Sequence, residues 1–245
     1  MNQNNILKII SEKNKFYHPI LSKYNKTLSL GSTCFTKKFM LSIGINQETE
    51  FFDYIGTSVW SITDLINNDF QNIFDYHNYK NLKILNDKDD SYNITNVQHF
   101  LIFKHDFHQT HKQLTYPIKL NEFNSFKDKY LRRVTRFKNL LNTSTSILFI
   151  RYEQYKNYII HDIYKDKYSK CELTQLRDFS SMLKSKYPLL QFHILFFYSN
   201  VDESFYDNDY NILILKNDKI LTYDNCHEKL HEICLENNDL LYKHL

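Results

Sequence analysis

Residues 147–150, Ile-Leu-Phe-Ile, are apolar at every position. A strand with one solvent-exposed face alternates apolar and polar residues. An unbroken apolar run therefore indicates a strand that is buried on both faces. Phe192–Tyr198 and Asn211–Lys216 repeat this pattern downstream, and Thr27–Leu30 is a strand candidate upstream. Such runs are typical of the central strands of a parallel sheet.

Helical periodicity fills the intervals between these strands. The longest predicted helix is Phe123–Leu141, and the others are Cys34–Ile43, Ser58–Asn68, Glu172–Lys186 and Cys226–Glu236. Buried strands that alternate with helices pair in parallel through crossover connections. The predicted fold is therefore α/β with three layers, a mostly parallel sheet flanked by helices in a Rossmann-like arrangement.

The division of the chain follows from its composition. Residues 1–26 are predicted to be a polar amphipathic lead-in that breaks at Pro19, and residues 27–245 to be a single α/β domain. Within that domain the Asn/Asp-rich stretch 71–96 is predicted to be a polar excursion or loop. Val97–Phe103 is predicted to be the strand that follows it.

Composition narrows the class of function. With 42% hydrophobic residues in 245, the chain has enough apolar mass for a large core, which excludes a disordered class. The net charge is +3, and only five of the 31 basic residues are Arg. Because contacts to phosphates and bases favour Arg clusters, we do not expect nucleic acid as a partner.

We find neither a membrane-span pattern nor a secretory-signal pattern in the sequence. No uninterrupted apolar run reaches the roughly 18 residues of a membrane span, and the polar N-terminus does not resemble a secretory signal. We therefore expect no membrane partner and a cytoplasmic location. The four cysteines are then expected to be free thiols in a reducing compartment.

The loop after the first predicted strand is the leading candidate site, because ligands of open α/β sheets collect at the carboxyl ends of strands. Gly31 allows a tight turn, and Ser32 or Thr33 can cap the following helix. Cys34 then lies in the first helical turn, where unpaired amides and the helix dipole stabilise a thiolate. Two lysines one turn later act in the same direction.

This loop leaves several functions open. A cysteine nucleophile is one, with Cys34 as a small apolar packing residue as the structural alternative. A transferase or binding protein is another, in which Gly31 and Ser32 contact an anionic or sugar-containing ligand and Arg151 assists. A third is a catalytically inactive scaffold. No cofactor is predicted for any of them.

A zinc motif competes with the cysteine site. His227–His231 fits H-E-x-x-H, and Cys226 and Cys234 are possible further ligands. However, only fourteen residues follow His231, and a lysine occupies the middle of the motif. We therefore predict an ordinary amphipathic helix here and no metal site.

Several short motifs occur along the chain in a fixed order. They are Leu28–Cys34, Phe52–Tyr54, Phe103–Phe107, Arg133–Phe137 and Leu148–Arg151. This order resembles a family described as papain-like cysteine peptidases, whose pattern runs S-L-G-S-x-C, P-F-D-W, F-x-H-D-F, R-x-x-R-F and F-x-R. The chain departs from it in having Phe51 for Pro and Tyr54 for Trp.

The resemblance implies a cysteine peptidase or related hydrolase. Cys34 would be the nucleophile, His105 the base, and Asp53 or Asp106 the carboxylate that orients the imidazole. It also makes a papain-like α+β fold the alternative to the Rossmann-like one. If Val97–Phe103 were parallel to the first strand, His105 would reach the same sheet edge as Cys34.

Arginines complete the expected site. Arg151 ends a buried strand, and a charge there is costly unless it is paired. We expect it to hold Asp53 or Asp106, or to bind an anionic group of the substrate, and Arg133 to act similarly. The expected substrate is a peptide or a small anionic ligand.

Overall fold

The computed structural model contains two β-sheets with helices packed around them. It describes residues 12–13, 15–45, 48–83, 92–103, 105–107, 118–143, 145–153, 170–219, 221–222 and 224–245. The strands are β1 (Lys26–Ser29), β2 (Ile55–Thr57), β3 (Tyr79–Lys83), β4 (Tyr92–Asn96), β5 (Leu101–Phe103), β6 (Ser146–Tyr152), β7 (Gln191–Tyr198), β8 (Phe205–Asp207) and β9 (Ile212–Lys216). The helices are α1 (residues 15–21), α2 (Cys34–Ser42), α3 (Val59–Asn67), α4 (Leu120–Asn142), α5 (Glu172–Lys186), α6 (Cys226–Glu236) and α7 (Asn238–His244).

The larger sheet has the strand order β1-β6-β7-β9-β8. Its first four strands are parallel, and β8 pairs antiparallel to β9 at the edge. Side chains of β6 alternate between two cores, with Ile147 and Phe149 in one and Leu148 and Ile150 in the other. Helices cover both faces, so the mostly parallel α/β prediction is confirmed, and the papain-like alternative is also consistent with this architecture.

The predicted helices are confirmed, several of them at the expected ends. The bounds of α5 and α6 agree with the prediction. The Ser58 hydroxyl accepts a hydrogen bond from the Ser61 amide at the start of α3, as expected of an N-cap. Gly44 follows α2 with φ +87°, the left-handed conformation expected of a glycine that ends a helix.

The smaller sheet is antiparallel, with the order β2-β5-β4-β3, and differs from the sequence prediction. Its strands β3 and β4 lie inside 71–96, so the loop prediction is wrong for residues 79–83 and 92–96. Asn96 helps to explain why a polar segment can form this sheet: its side-chain amide is buried and donates to the Ile73 carbonyl. Because buried polar groups that find partners cost little, a polar sequence can still be a strand.

The strand predicted over Val97–Phe103 is also wrong in extent and in pairing. Only Leu101–Phe103 is a strand, and residues 97–100 form a turn. The Asn96 side-chain oxygen accepts hydrogen bonds from the Gln98 and His99 amides and thereby closes this turn. A connection this short joins antiparallel strands only, so β5 cannot be a strand of the parallel sheet.

The expected break at Pro19 is wrong as well, since α1 continues through Pro19 to residue 21. Tyr17 and Ile20 of this helix are 3% and 2% exposed and belong to the same core as α2 and α6. Burial of these side chains offsets the cost of a proline within a helix. In the described part of the chain, no helix has the length and apolarity required to cross a membrane.

Candidate active site at the first strand-to-helix turn

Cys34 is the first residue of α2 and follows β1 at the carboxyl edge of the larger sheet. The preceding Thr33 is the N-cap, and its hydroxyl accepts a hydrogen bond from the Phe35 amide at 3.2 Å. Cys34 is partly exposed. The sequence therefore predicts its local position correctly, with Thr33 rather than Ser32 as the cap.

The turn before Cys34 is closely packed against the smaller sheet. Gly31 has φ +70°, and a Cβ atom there would lie 2.4 Å from the Thr57 Cγ2 atom of β2. Ser32 also has a positive φ, is completely buried, and donates its hydroxyl to the Glu153 carbonyl at 3.0 Å. Gly31 and Ser32 therefore fix the turn in place, and their side-chain space is filled by protein.

Arg151, a residue of β6, holds this turn in place through hydrogen bonds. Its guanidinium is completely buried and donates to the carbonyl oxygens of Leu30, at 2.6 Å, and Thr57, at 2.9 Å. It also makes two hydrogen bonds to one carboxylate oxygen of Glu172, at 2.6 and 2.8 Å. The expectation that Arg151 pairs with Asp53 or Asp106 is wrong, because Glu172 at the start of α5 takes that position.

Asp53 lies next to α2 and pairs with a lysine of that helix. Its Oδ2 atom is 2.8 Å from Lys37 Nζ, and it accepts a hydrogen bond from the Glu50 amide at 2.9 Å. The side chains of Lys37 and Asp53 are 3% and 1% exposed. Lys37 is one helical turn beyond Cys34, so this ion pair ties the turn that carries Asp53 to the cysteine helix.

His105 is exposed and lies just past β5 of the smaller sheet. Its ring makes an edge-on contact with the ring of Tyr54, at 5.8 Å between centroids. Tyr54 directly follows Asp53 in the chain. The structure thus connects α2 to His105 through Lys37, Asp53 and Tyr54. The condition under which His105 would share a sheet edge with Cys34, a preceding strand parallel to β1, is not met, because β5 belongs to the antiparallel sheet.

Asp106 is bound to α4. Its Oδ2 accepts a hydrogen bond from the Tyr130 hydroxyl at 2.8 Å, and Oδ1 pairs with the Lys129 ammonium. Burial, followed by the charge of Asp106, raises the pKa of Tyr130 well above its ordinary value. Arg133 lies over the Tyr130 ring at 4.6 Å from its centroid, so its contact in this structure is with the tyrosine that holds Asp106.

The structure places the predicted residues in three groups. Gly31, Ser32 and Cys34 lie at the turn between β1 and α2, which Arg151 of β6 holds. Asp106 and Arg133 contact Tyr130 of α4, and Asp53 and His105 border Tyr54, one as its neighbour in the chain and the other by a ring contact. The pairing of Cys34 with His105 stays a prediction. His108 and His111, which follow His105 closely in the chain, lie outside the described residues.

The zinc-like motif on α6 has a structural use. The Nδ1 atom of His231 is 2.9 Å from the Tyr17 hydroxyl, which connects α6 to α1. Burial lowers the pKa of His231 to about 4. Among the described residues, no group of three or more His, Cys, Asp or Glu side chains is arranged to hold a metal ion.

Sequence reasoning missed Glu172 as the partner of Arg151. The available signal was an acidic residue at the first position of a strongly periodic helix, which the helix dipole favours. Lys37 was expected only to help ionise Cys34, and its pairing with Asp53 required two segments far apart in the chain to meet.

One family model matches residues 25–201 of the chain. The match includes every residue of the turn between β1 and α2, both candidate carboxylates, His105 and Arg151. A search of curated proteins and a search of solved structures each returned no match. Since the matched segment is most of the chain, the protein belongs to the family described as "Putative papain-like cysteine peptidase (DUF1796)".

Proposed function

We propose that the protein is a cysteine-dependent hydrolase that cleaves an acyl bond, with Cys34 as the nucleophile and His105 as the base. The observation that carries the proposal is the position of Cys34, partly exposed at the capped first turn of α2 on the carboxyl edge of a parallel sheet. Free amide groups and the helix dipole at this position favour the thiolate, which is the reactive form of cysteine.

The reaction follows from these roles. The Cys34 thiolate attacks the substrate carbonyl, and the leaving amine or alcohol takes the proton held by His105. A thioester then joins the acyl group to Cys34. Water, deprotonated by His105, attacks the thioester carbonyl, and the Cys34 thiolate leaves as the acid is released.

The two candidate carboxylates support this arrangement as positioning residues. Asp53 is adjacent to Tyr54, whose ring contacts His105, and its side chain is held by α2. Asp106 is adjacent to His105 itself, and its side chain is held by α4 through Tyr130. Each carboxylate thus anchors one segment that borders the imidazole.

An anion-binding protein is the less supported alternative. Such a site needs an open turn whose amides face a ligand. Gly31 has no room for even a methyl group, and Ser32 is completely buried. The packing of this turn therefore favours the cysteine proposal.

The test is the pH dependence of Cys34 alkylation by iodoacetamide in a Cys171→Ser background, where the two other cysteines are buried. We expect reaction well below pH 8, and a shift towards the ordinary thiol value of about 8.5 in His105→Ala. The exposed His77 provides a matched control, because His77→Ala should leave the profile unchanged.

A second readout uses p-nitrophenyl acetate as an acyl probe. We expect a burst of p-nitrophenol and an acetyl group on Cys34, both absent in Cys34→Ser. An ordinary thiol titration in the parent protein, together with no acetylation of Cys34, would overturn the proposal.

A further inference from the structure

Two helices of this protein begin with a cysteine. Cys34 is the first residue of α2, and Cys226 is the first residue of α6. Both helices come after strands that run in the same direction, β1 and β9, and both pack on the same face of the larger sheet. The two helix N-termini therefore lie towards the same edge of that sheet.

The direction of α6 is fixed by the contacts of the segment after it. Leu245, just beyond α7, has a carbonyl that accepts a hydrogen bond from the hydroxyl of Tyr24, which lies just before β1. This segment is therefore at the amino edge of the sheet, and α6 runs back from the carboxyl edge as α2 does. Since α2 and α6 are in direct contact, the two cysteines begin neighbouring parallel helices.

The surroundings of the two sulfur atoms also connect them. Cys226 is completely buried in the core shared by α2 and α6, and the partly exposed Cys34 packs against that core. Burial raises the pKa of Cys226; the Lys38 ammonium opposes this shift, and the charge of Cys34 adds to it. The two cysteines therefore border one core, at the starts of two helices in direct contact.

The two thiols differ in what can reach them. A small oxidant in solution reaches Cys34, whereas Cys226 is sealed from solvent and faces the core. We propose that Cys34 and Cys226 form a redox couple, in which a peroxide oxidises Cys34 and Cys226 converts the product into a reversible disulfide. The consequence for activity, that the nucleophile is switched off, rests on the proposed function.

Atoms and electrons balance in each step of this cycle. The Cys34 thiolate attacks one oxygen of the peroxide, the O–O bond breaks, and Cys34 becomes a sulfenic acid while hydroxide or an alkoxide leaves. The Cys226 sulfur then attacks the Cys34 sulfur, the S–O bond breaks, and water leaves. Two thiols are oxidised and one peroxide is reduced, and a dithiol reductant restores both cysteines.

The geometry required for the bond is compatible with packed helices. Helix axes in contact are about 8–10 Å apart, which brings facing residues towards the roughly 4.4–6.8 Å between Cα atoms that a disulfide needs. Transient disulfides of this kind are the ones found in reducing compartments.

The experiment treats the full-length protein with hydrogen peroxide and maps its peptides by mass spectrometry without reduction. We expect a linked peptide containing Cys34 and Cys226, lighter by two hydrogen atoms and released by dithiothreitol. Cys234→Ala is the matched control, since Cys234 is equally buried on the same helix but lies two turns further on, and this variant should still form the link.

Cys226→Ala should form no link, and its Cys34 should proceed to the sulfinic acid. Equal oxidation of Cys34 to the sulfinic acid in the parent protein and in Cys226→Ala would overturn the proposal, as would a link from Cys34 to Cys171. If Cys226→Ala does not fold, the peptide map of the parent protein decides alone.

The readout separates this proposal from the hydrolase proposal. Formation of the link is measured by mass and requires no substrate. A protein that forms the link but is not acetylated by p-nitrophenyl acetate would contradict only the hydrolase. A protein that is acetylated at Cys34 but forms no link would contradict only the redox couple.

Discussion

Two buried ion pairs lie close to the candidate site, and they are built differently. Arg151 and Glu172 connect the end of β6 to α5, and the same guanidinium also holds the carbonyl oxygens of Leu30 and Thr57. Lys37 and Asp53 connect α2 to the turn before β2 through a single close contact of 2.8 Å.

The two pairs differ in how many of their side-chain nitrogen and oxygen atoms have a hydrogen-bond partner. The planar Arg151 fork distributes four hydrogen bonds over three residues. Lys37 Nζ touches Asp53 without hydrogen-bond alignment, and Asp53 Oδ1 has no hydrogen-bond partner among the described residues. A satisfied buried network stabilises one arrangement, whereas unsatisfied polar atoms in the core cost free energy.

The largest effect is expected from breaking the satisfied pair. Arg151→Met should lower the free energy of unfolding by about 3–5 kcal/mol, because it leaves the Glu172 carboxylate and two carbonyl oxygens without their donor. Urea unfolding measures the change, and Arg151→Lys, which keeps the charge without the fork, should lose less. A loss below about 1 kcal/mol in Arg151→Met would remove the distinction between the two pairs.

Gly31→Ala tests how closely the turn after β1 packs against β2, where Arg151 binds both segments. We expect a loss of about 2–4 kcal/mol, since a positive φ costs roughly 1–2 kcal/mol and the overlap with Thr57 adds about as much. Gly44→Ala is the matched control: this glycine also has a positive φ but is exposed, so only about 1–2 kcal/mol should be lost. The double variant Gly31→Ala with Thr57→Ser should recover part of the loss, and no recovery would contradict the overlap.

Breaking the second pair should cost less. Asp53→Asn is expected to lower the free energy of unfolding by about 1–3 kcal/mol, because Lys37 is then left buried without a counter-charge. Replacing both residues, Lys37→Met with Asp53→Leu, should restore most of the stability while slowing the alkylation of Cys34. If the double variant is as unstable as the sum of the two single variants, Lys37 and Asp53 contribute independently, and the loss does not come from breaking their pair.

The smallest effect concerns a part-buried contact between Tyr17 and His231. Burial lowers the pKa of His231 from 6.5 to about 4, so the unfolded chain binds more protons between these values. The stability that neutral His231 contributes is complete above pH 6.5 and is lost as the pH falls towards 4. Thermal unfolding should therefore depend less on pH over this interval in His231→Gln than in the parent protein.

The control for this measurement is Tyr17→Phe, which retains the buried ring and loses the hydroxyl. The lowered pKa values of His193 and His244 are common to all of these proteins, so the difference between variant and parent reports on His231. An unchanged pH dependence in His231→Gln would show that the contact does not respond to protonation in this range.

The larger sheet was predictable because its strands are buried on both faces. Residues 147–150 are all at most 1% exposed, and a run of four apolar residues records this directly in the sequence. The same holds for α5 and α6, whose amphipathic periodicity is a local property of the sequence. The position of Cys34 at a helix start followed from the same local signals.

The smaller sheet could not be predicted in this way. Its strands β2 and β5 have three residues each, and β4 includes Asn96, whose buried side chain finds its partners in the Ile73 carbonyl and in the Gln98 and His99 amides. Short strands carry too little periodicity to separate them from turns. His105 follows β5 of that sheet, so its position relative to Cys34 could not be predicted without the pairing of β5.

The sequence alone determined the parallel strands β1, β6, β7 and β9, the helices α2 to α6, and that a cysteine begins the first helix after β1. These properties depend on neighbours a few residues away, where periodicity and capping act. Tertiary structure alone decided that Glu172 pairs with Arg151, that Lys37 pairs with Asp53, and that the helices begun by Cys34 and Cys226 are neighbours. Such partners are chosen by the packing of segments distant in the chain, because a buried charge or sulfur meets whatever the fold brings within a few ångströms.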